Sequence, residues 1–151
     1  MRIQHDPGST AEVDRQGIEA AEGANGGALH IHRRQEERFI VESGLLLVRR
    51  GRERIRVGPG EEVRVPAGTA HTWRAERQSR FTAEFRPALR TWEFFREVLV
   101  LPTDRRGNPR IGAYARLVRA YPDESPSFRF IPTSLQKALA VPLSRLGSAH
   151  Q

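Results

Sequence analysis

The residues best suited to chemistry are two histidines that share one short segment. His30 and His32 lie two positions apart in an expected strand, so their imidazoles leave the same face of that strand. Glu37 follows at the start of the next expected strand, and His71 comes just after a turn at 66–68. Three imidazoles and one carboxylate brought together by antiparallel strands would suit a divalent transition metal. The other two histidines, His5 and His150, lie near the chain ends and are expected to have no such role.

The region from 28 to 88 predicts the antiparallel strands that would position these side chains. Gly and Pro turns separate short segments, and Gly51 between two such segments is typical of a hairpin. Residues 54–57 alternate basic and apolar side chains, as a strand with one solvated face does. The fold class is therefore expected to be mainly β, an antiparallel barrel or sandwich. The expected strands are 28–32, 38–42, 45–50, 54–57, 62–66, 70–75 and 80–86.

After position 87 the apolar residues recur with the period of an α-helix. Thr91 is expected to cap the first helix. The chain is therefore expected to divide into a β-domain at 1–88 and a helical extension at 89–151, and residues 1–27 would form an arm or a first strand. The expected helices are 92–101, 111–121 and 134–146.

The composition excludes several classes of protein. The 151 residues contain no cysteine, which excludes disulfide frameworks, thiolate zinc sites and cysteine nucleophiles. The sequence has no run of 18 apolar residues, and its N-terminal residues have no apolar stretch. We therefore expect neither a membrane span nor a secretory signal, and a cytoplasmic location.

The formal net charge of +7 comes from 25 basic and 18 acidic residues, and Lys137 is the only lysine. A basic balance is compatible with a nucleic-acid partner. The arginines are dispersed, however, and many lie beside glutamates, as in residues 33–38. No helix-turn-helix pattern and no aromatic RNA-binding motif is present. We therefore expect a solvated arginine-rich surface and no nucleic-acid partner.

The spacing around the first histidines resembles the first motif of the cupin superfamily. That motif consists of His-x-His, three or four residues, Glu, six residues and Gly. In this chain His30 and His32 are followed by Glu37, and six further residues separate Glu37 from Gly44. Glu36 is an alternative acidic ligand, but the spacing to Gly44 favours Glu37.

The segment around His71 resembles the second cupin motif. That motif consists of Gly, five residues, Pro-x-Gly, two residues, His, three residues and Asn. Here Gly60, the turn at 66–68 and His71 have this spacing, whereas Ala75 stands in place of the Asn. Another departure is Ala24, at a position that is usually Gly. Neither departure removes a metal ligand.

The resemblance covers about residues 24–88 and implies a single-domain cupin barrel or jelly roll with a C-terminal helical extension. It implies one divalent metal, which could be Fe, Mn, Ni, Cu or Zn, bound by His30, His32, Glu37 and His71. Cupins with this site include dioxygenases, isomerases, decarboxylases and polyketide cyclases, so a metal-dependent enzyme acting on a small, possibly aromatic molecule is expected. The alternatives are a non-catalytic binding or sensing cupin and a barrel with a vestigial site. Small cupins commonly pair, so a homodimer is expected.

Strand alternation indicates which side chains would surround the metal. Phe39 and Trp73 are expected to face the barrel interior, where Trp73 could stack on a flat ligand. In the last strand, alternation leaves two options. The apolar residues could line the interior, or Glu84 and Arg86 could face the pocket as a general base and an anion clamp. A solvated or salt-bridged pair is the structural alternative for Glu84 and Arg86.

Overall fold

Eight strands and two helices make up the part of the chain that the structure, a computed structural model, describes, namely residues 1–102 and 110–128. All pairings between these strands are antiparallel. In chain order the elements are β1 (Arg2–His5), β2 (Asp14–Ala20), β3 (His30–Ile31), β4 (Glu36–Arg50), β5 (Glu53–Val57), β6 (Glu62–Val65), β7 (His71–Arg86), α1 (Thr91–Leu99), α2 (Ile111–Ala120) and β8 (Ser127–Phe128).

Strand β7 organises the sheet, because it pairs with β2, β3 and β4. Strand β4 in turn pairs with β5 and β6, and the expected hairpin at Gly51 is confirmed by the register of β4 and β5. The N-terminal residues form two strands rather than one, with β1 on β2 and β2 on β7. The mainly β fold class predicted from the sequence is therefore confirmed.

Two long strands replace four of the expected short ones. The expected strands 38–42 and 45–50 both lie in β4, and the expected strands 70–75 and 80–86 merge into β7, which begins at His71. The pairing of β4 with β7 shifts register around Gly44, which has a φ of 88°. Such an irregularity bends a strand without ending it. A residue typical of turns therefore lies inside a strand.

The inward-facing side chains of the sheet form one apolar core. Strand alternation supplies it, since β2, β4, β6 and β7 each bury every second residue over much of their length. Burial of this much apolar surface is the main stabilising contribution to the fold. The core consists of Ile18, Ala20, Phe39, Val41, Leu46, Val48, Val57, Val63, Val65, Trp73, Ala75, Phe81, Ala83 and Phe85.

Helix α1 begins at Thr91, which does not act as the expected cap. The N-cap position is Arg90, and no side chain caps the helix. The Thr91 hydroxyl instead donates to the Ala88 carbonyl over 2.6 Å and accepts from Nε2 of Gln35 over 2.7 Å. Thr91 therefore connects the start of α1 to the segment that precedes β4.

The two helices pack on each other and lead the chain back to the sheet. Phe94, Leu117 and Tyr121 form a second buried cluster between α1 and α2. After α2, strand β8 pairs with β3 beside His30. The division into 1–88 and 89–151 stays a prediction, and the expected helix at 134–146 lies outside the described residues.

Neither described helix is long and apolar enough to cross a membrane. Strand β1 pairs only with β2 among the described strands, so one of its edges is available to another strand. Sheet edges of this kind are where two copies of a chain commonly pair. The homodimer stays a prediction.

Substitution of Gly44 by Ala is expected to lower the free energy of unfolding by at least about 2 kcal/mol. A Cβ at this position would lie 2.2 Å from the backbone oxygen of Gln78, and the φ of 88° disfavours any side chain. Gly60→Ala is the matched control, because Gly60 has a φ of 82° and a Cβ there meets nothing within 4 Å. Urea denaturation of both variants measures the difference. Equal losses would show that the contact with Gln78 is unimportant.

Candidate metal centre

Three neighbouring parts of the sheet bring the four predicted ligands together. His30 lies in β3 directly opposite His71 at the start of β7, and Glu37 lies near the start of β4. His32 follows β3 by one residue. One ligand atom from each of the four residues lies within 4.8 Å of all the others. His32, Glu37 and His71 are buried, and His30 is half-buried.

The shortest contact of the cluster joins His71 to Glu37. Nε2 of His71 lies 2.6 Å from Oε2 of Glu37, and Nδ1 lies 2.8 Å from the Thr69 carbonyl. A carbonyl only accepts, so Nδ1 carries a proton, and a second proton on Nε2 makes the pair an imidazolium and a carboxylate.

The pKa values of this pair move apart. Burial alone would lower the pKa of His71, but the hydrogen bond and charge of Glu37 outweigh it and raise that pKa. Burial alone would raise the pKa of Glu37, but the hydrogen bond from His71 and the charges of all three histidines lower it. The carboxylate is therefore held in the ionised form that a metal ligand requires.

His30 and His32 are held in the neutral form, which is the other form a metal requires. Burial, together with the charge of His71, lowers the pKa of His30; burial is also the largest cause for His32, whose pKa falls to about 4. Nδ1 of His30 lies 2.8 Å from the Ala28 carbonyl and must donate to it. Nε2 of His30 is thus left with its lone pair, and the backbone orients the ring as it orients metal-bound histidines elsewhere.

The donor set fits a single transition metal ion. Two ligands about 2.1 Å from the same ion can lie at most about 4.2 Å apart. The 4.8 Å spread of the four donors exceeds this limit by roughly half an ångström, which small side-chain rotations would close. Nitrogen donors also favour a transition metal over Ca²⁺ or Mg²⁺, which prefer oxygen.

A cavity of about 330 Å³ opens beside the cluster, between the sheet and the helices. This volume is at the low end for small-molecule sites. His30, His32 and Glu37 line it together with a largely apolar wall. Other lining residues include Ile18, Trp73, Ala83 and Phe85 from the sheet, and Phe94, Phe95, Val98 and Tyr114 from the helices.

Of the two aromatic residues expected in the pocket, the structure brings only Trp73 to the cavity. Its indole packs against Phe81 with ring centroids 5.0 Å apart. Phe39 faces inward as expected, but it is fully buried in the core, where its ring packs on Phe81 and does not line the cavity.

The structure does not bring Glu84 and Arg86 to the cluster. Ala83 and Phe85 take the cavity side of β7, so Glu84 lies on the opposite face of the strand. Its carboxylate is 2% exposed and accepts from Nε of Arg15 at 2.9 Å and Nη1 of Arg38 at 3.2 Å. Arg86 lies 3.5 Å from the same carboxylate. Burial opposes the change, but Arg38 and Arg15 lower the pKa of Glu84, as expected for a structural ion-pair network.

Sequence reasoning missed three polar residues of the cavity, Gln16, Asn25 and Tyr114. The side-chain oxygen of Asn25 accepts from the backbone N–H of Gly27. Gln16 occupies an inward position of β2, where buried and less buried residues alternate. That alternation is the signal that could have found it. Tyr114 comes from α2, and burial raises the pKa of its hydroxyl, which therefore stays protonated.

Comparisons with known proteins agree with this architecture. The model of the cupin domain family matches residues 18–83, which include all four candidate ligands. No protein of curated function matches the sequence.

Solved structures resemble more than half of the chain. The structure of KdgF from Halomonas sp. is 26% identical, with a TM-score of 0.51 over 56% of this chain and 80% of that one. An RmlC-like cupin from Shewanella frigidimarina NCIMB 400 is 21% identical, with a TM-score of 0.52 over 60% of this chain and 87% of that one, and shares the fold. The family model over residues 18–83, together with the motifs and the antiparallel sheet, identifies a cupin domain in this part of the chain and supports membership of the cupin superfamily.

Proposed function

We propose that the protein is a metal-dependent enzyme that acts on a small, mainly apolar organic molecule such as an aromatic compound. His30, His32, Glu37 and His71 would hold one divalent transition metal. One observation carries this proposal. Three imidazoles and one carboxylate have donor atoms within 4.8 Å of one another, and three of these four residues line an apolar cavity.

Four protein ligands leave two positions of a six-coordinate ion for a ligand or substrate. Fe, Mn, Ni, Cu and Zn all accept three nitrogens and one oxygen. When bound, such an ion supplies a Lewis acid for a substrate oxygen or a site for O₂, which fits isomerase, cyclase or dioxygenase chemistry. The choice among these reactions is left to experiment.

The remaining cavity residues would bind and orient the substrate. Trp73 and Phe85 offer aromatic faces to a planar molecule, and Phe95 packs against Phe85 with ring centroids 5.7 Å apart. These apolar walls exclude water, which strengthens every polar contact within the site. The protonated Tyr114 hydroxyl would donate a hydrogen bond to a substrate oxygen.

The second candidate function is non-catalytic binding or sensing of a small molecule. Apart from the candidate ligands, the described cavity-lining residues include no Asp, Glu, Lys or Arg. General acid–base catalysis usually needs such a group within hydrogen-bond reach of the substrate. This absence among the described residues favours a binding role over reactions that need a side-chain base.

Metal analysis of the purified protein is expected to find about one transition metal ion per chain, and the variant His30→Ala/His71→Ala is expected to lose it. Removing two of four ligands leaves too few donors for a stable site. His5→Ala is the control, since His5 contacts Asp14 and Trp92 and is not part of the donor cluster. Elemental analysis measures the stoichiometry, and circular dichroism checks the fold. Wild-type metal content in the double variant would contradict the ligand assignment.

Metal binding is expected to release a proton and to weaken as the pH falls. In the metal-free protein His71 has a raised pKa, and its Nε2 proton lies on the hydrogen bond to Glu37. Below that pKa each unit of pH lowers the apparent Zn²⁺ affinity by about tenfold, because one proton competes with the metal. Calorimetry in two buffers of different ionisation enthalpy counts the protons. A Zn²⁺ affinity that is constant between neutral and acidic pH would contradict this prediction.

Chelation of the metal is expected to leave the chain folded but to abolish binding of 4-hydroxybenzoate, whose carboxylate would bind the metal. The apolar core is extensive and includes none of the four ligands, so the stability lost on chelation is only the mass-action term. Circular dichroism and binding of 4-hydroxybenzoate, before and after chelation, measure the two effects. Unfolding of the metal-free protein would make the metal structural. Unchanged binding of the benzoate would favour the binding function.

A further inference from the structure

Gln16 is a buried polar residue that lines the cavity and is not one of the four candidate metal ligands. We propose that its amide oxygen is a recognition site for the small molecule, and that it accepts a hydrogen bond from a hydroxyl or amine at the end remote from the metal. This inference rests on the proposed function and names the second polar group that the ligand must carry.

The orientation of the Gln16 amide is fixed by its neighbours. Nε2 donates to Oδ2 of Asp14 over 2.8 Å. The other oxygen of Asp14 lies 3.1 Å from Nε2 of His5, and the His5 ring stacks on Trp92 at 4.8 Å. Because a carboxylate accepts hydrogen bonds, turning the amide over would place oxygen against oxygen.

The oxygen of this amide is therefore the atom left for the cavity. Gln16 is 1% exposed, and its Oε1 is buried with no hydrogen-bond partner among the residues that the structure describes. Buried polar atoms nearly always have partners, and an orphaned acceptor is destabilising. Since Gln16 lines the cavity, a donor on a bound molecule would supply the missing partner.

The register of the sheet places Gln16 away from the metal cluster. Gln16 pairs with Ala83 and Glu37 pairs with Phe85, so the two residues are separated by two strand spacings and two residues along β7. Their Cα atoms are therefore about 12 Å apart. Both side chains line the same cavity, so one ligand can contact both ends.

The chemistry of the cavity then defines the class of ligand. One end carries an oxygen group for the metal, and the middle is apolar and suited to the wall around Trp73 and Phe85. The other end carries a hydrogen-bond donor for Gln16. A para-substituted benzoate has these features, with the carboxylate and the substituent on opposite sides of the ring.

The test compares 4-hydroxybenzoate with 4-methylbenzoate, which differ in the donor but hardly in size. In the Zn²⁺-loaded full-length protein, calorimetry is expected to show about tenfold tighter binding of the hydroxyl compound. In Gln16→Met, which has a similar length but no acceptor, the ratio of the two dissociation constants is expected to fall to about one. The dissociation constants of 4-aminobenzoate from the wild type and from Gln16→Met test an amine in place of the hydroxyl as the hydrogen-bond donor.

Gln35→Met is the matched control. Gln35 is also fully buried with an unpartnered Oε1, but it donates to Thr91 and does not line the cavity. Gln35→Met is expected to lower stability and to leave the ratio of the two dissociation constants unchanged. If Gln35→Met fails to fold, Gln4→Met is the control variant instead.

The two proposals fail differently. If binding of both benzoates survives removal of Zn²⁺, the metal-anchored function is wrong. If binding needs Zn²⁺ but the ratio is the same in wild type and Gln16→Met, the role of Gln16 is wrong. The role of Gln16 is also wrong if the wild type binds the hydroxyl and amino compounds no more tightly than 4-methylbenzoate. It is wrong as well if none of the three compounds binds.

Discussion

The buried carboxylate of Glu37 is the constraint on which the site depends. A carboxylate taken out of water is strongly destabilising unless a partner compensates it. The chain supplies His71, whose Nε2 lies 2.6 Å away, and two further imidazoles that stay neutral. The proton on His71 thus compensates the carboxylate in the metal-free protein, and a divalent ion bound as proposed would displace that proton and become a stronger partner.

Different parts of the chain supply the donor residues and the cavity wall. The segment matched by the cupin family, 18–83, supplies all four donor residues. Part of the cavity wall comes from later residues, among them Phe94, Phe95 and Tyr114. The family-matched barrel thus provides the donor cluster, and the segment beyond it shapes the space in front of it. Selectivity for a ligand would accordingly depend on residues that a family motif does not contain.

The sequence predicted the donor residues better than their surroundings, for physical reasons. The spacing of His30, His32 and Glu37 is local, and strand alternation converts it into a shared face. Strand ends were harder, because Gly44 looks like a turn but only bends β4. Alternation along β7 puts Glu84 and the apolar residues on opposite faces of the strand. It does not say which of these faces borders the cavity, so the position of Glu84 could not be predicted. The alternation along β2 could place Gln16 on the inner face of the sheet, but its position beside the cavity also depends on the pairing of β2 with β7.

Two buried polar residues show how structural and functional roles differ in this fold. Glu84 has its hydrogen-bonding capacity met by arginines on the outer face, so its burial is explained by the fold alone. Gln16 has half of its amide satisfied by Asp14 and the other half left unpaired. An apolar side chain at the same position would remove the unpaired oxygen, but it would also remove the hydrogen bond to the buried Asp14 carboxylate. The unpaired oxygen of Gln16 beside the cavity lowers the stability of the ligand-free protein. Binding sites are commonly less stable than they could be until a ligand is bound.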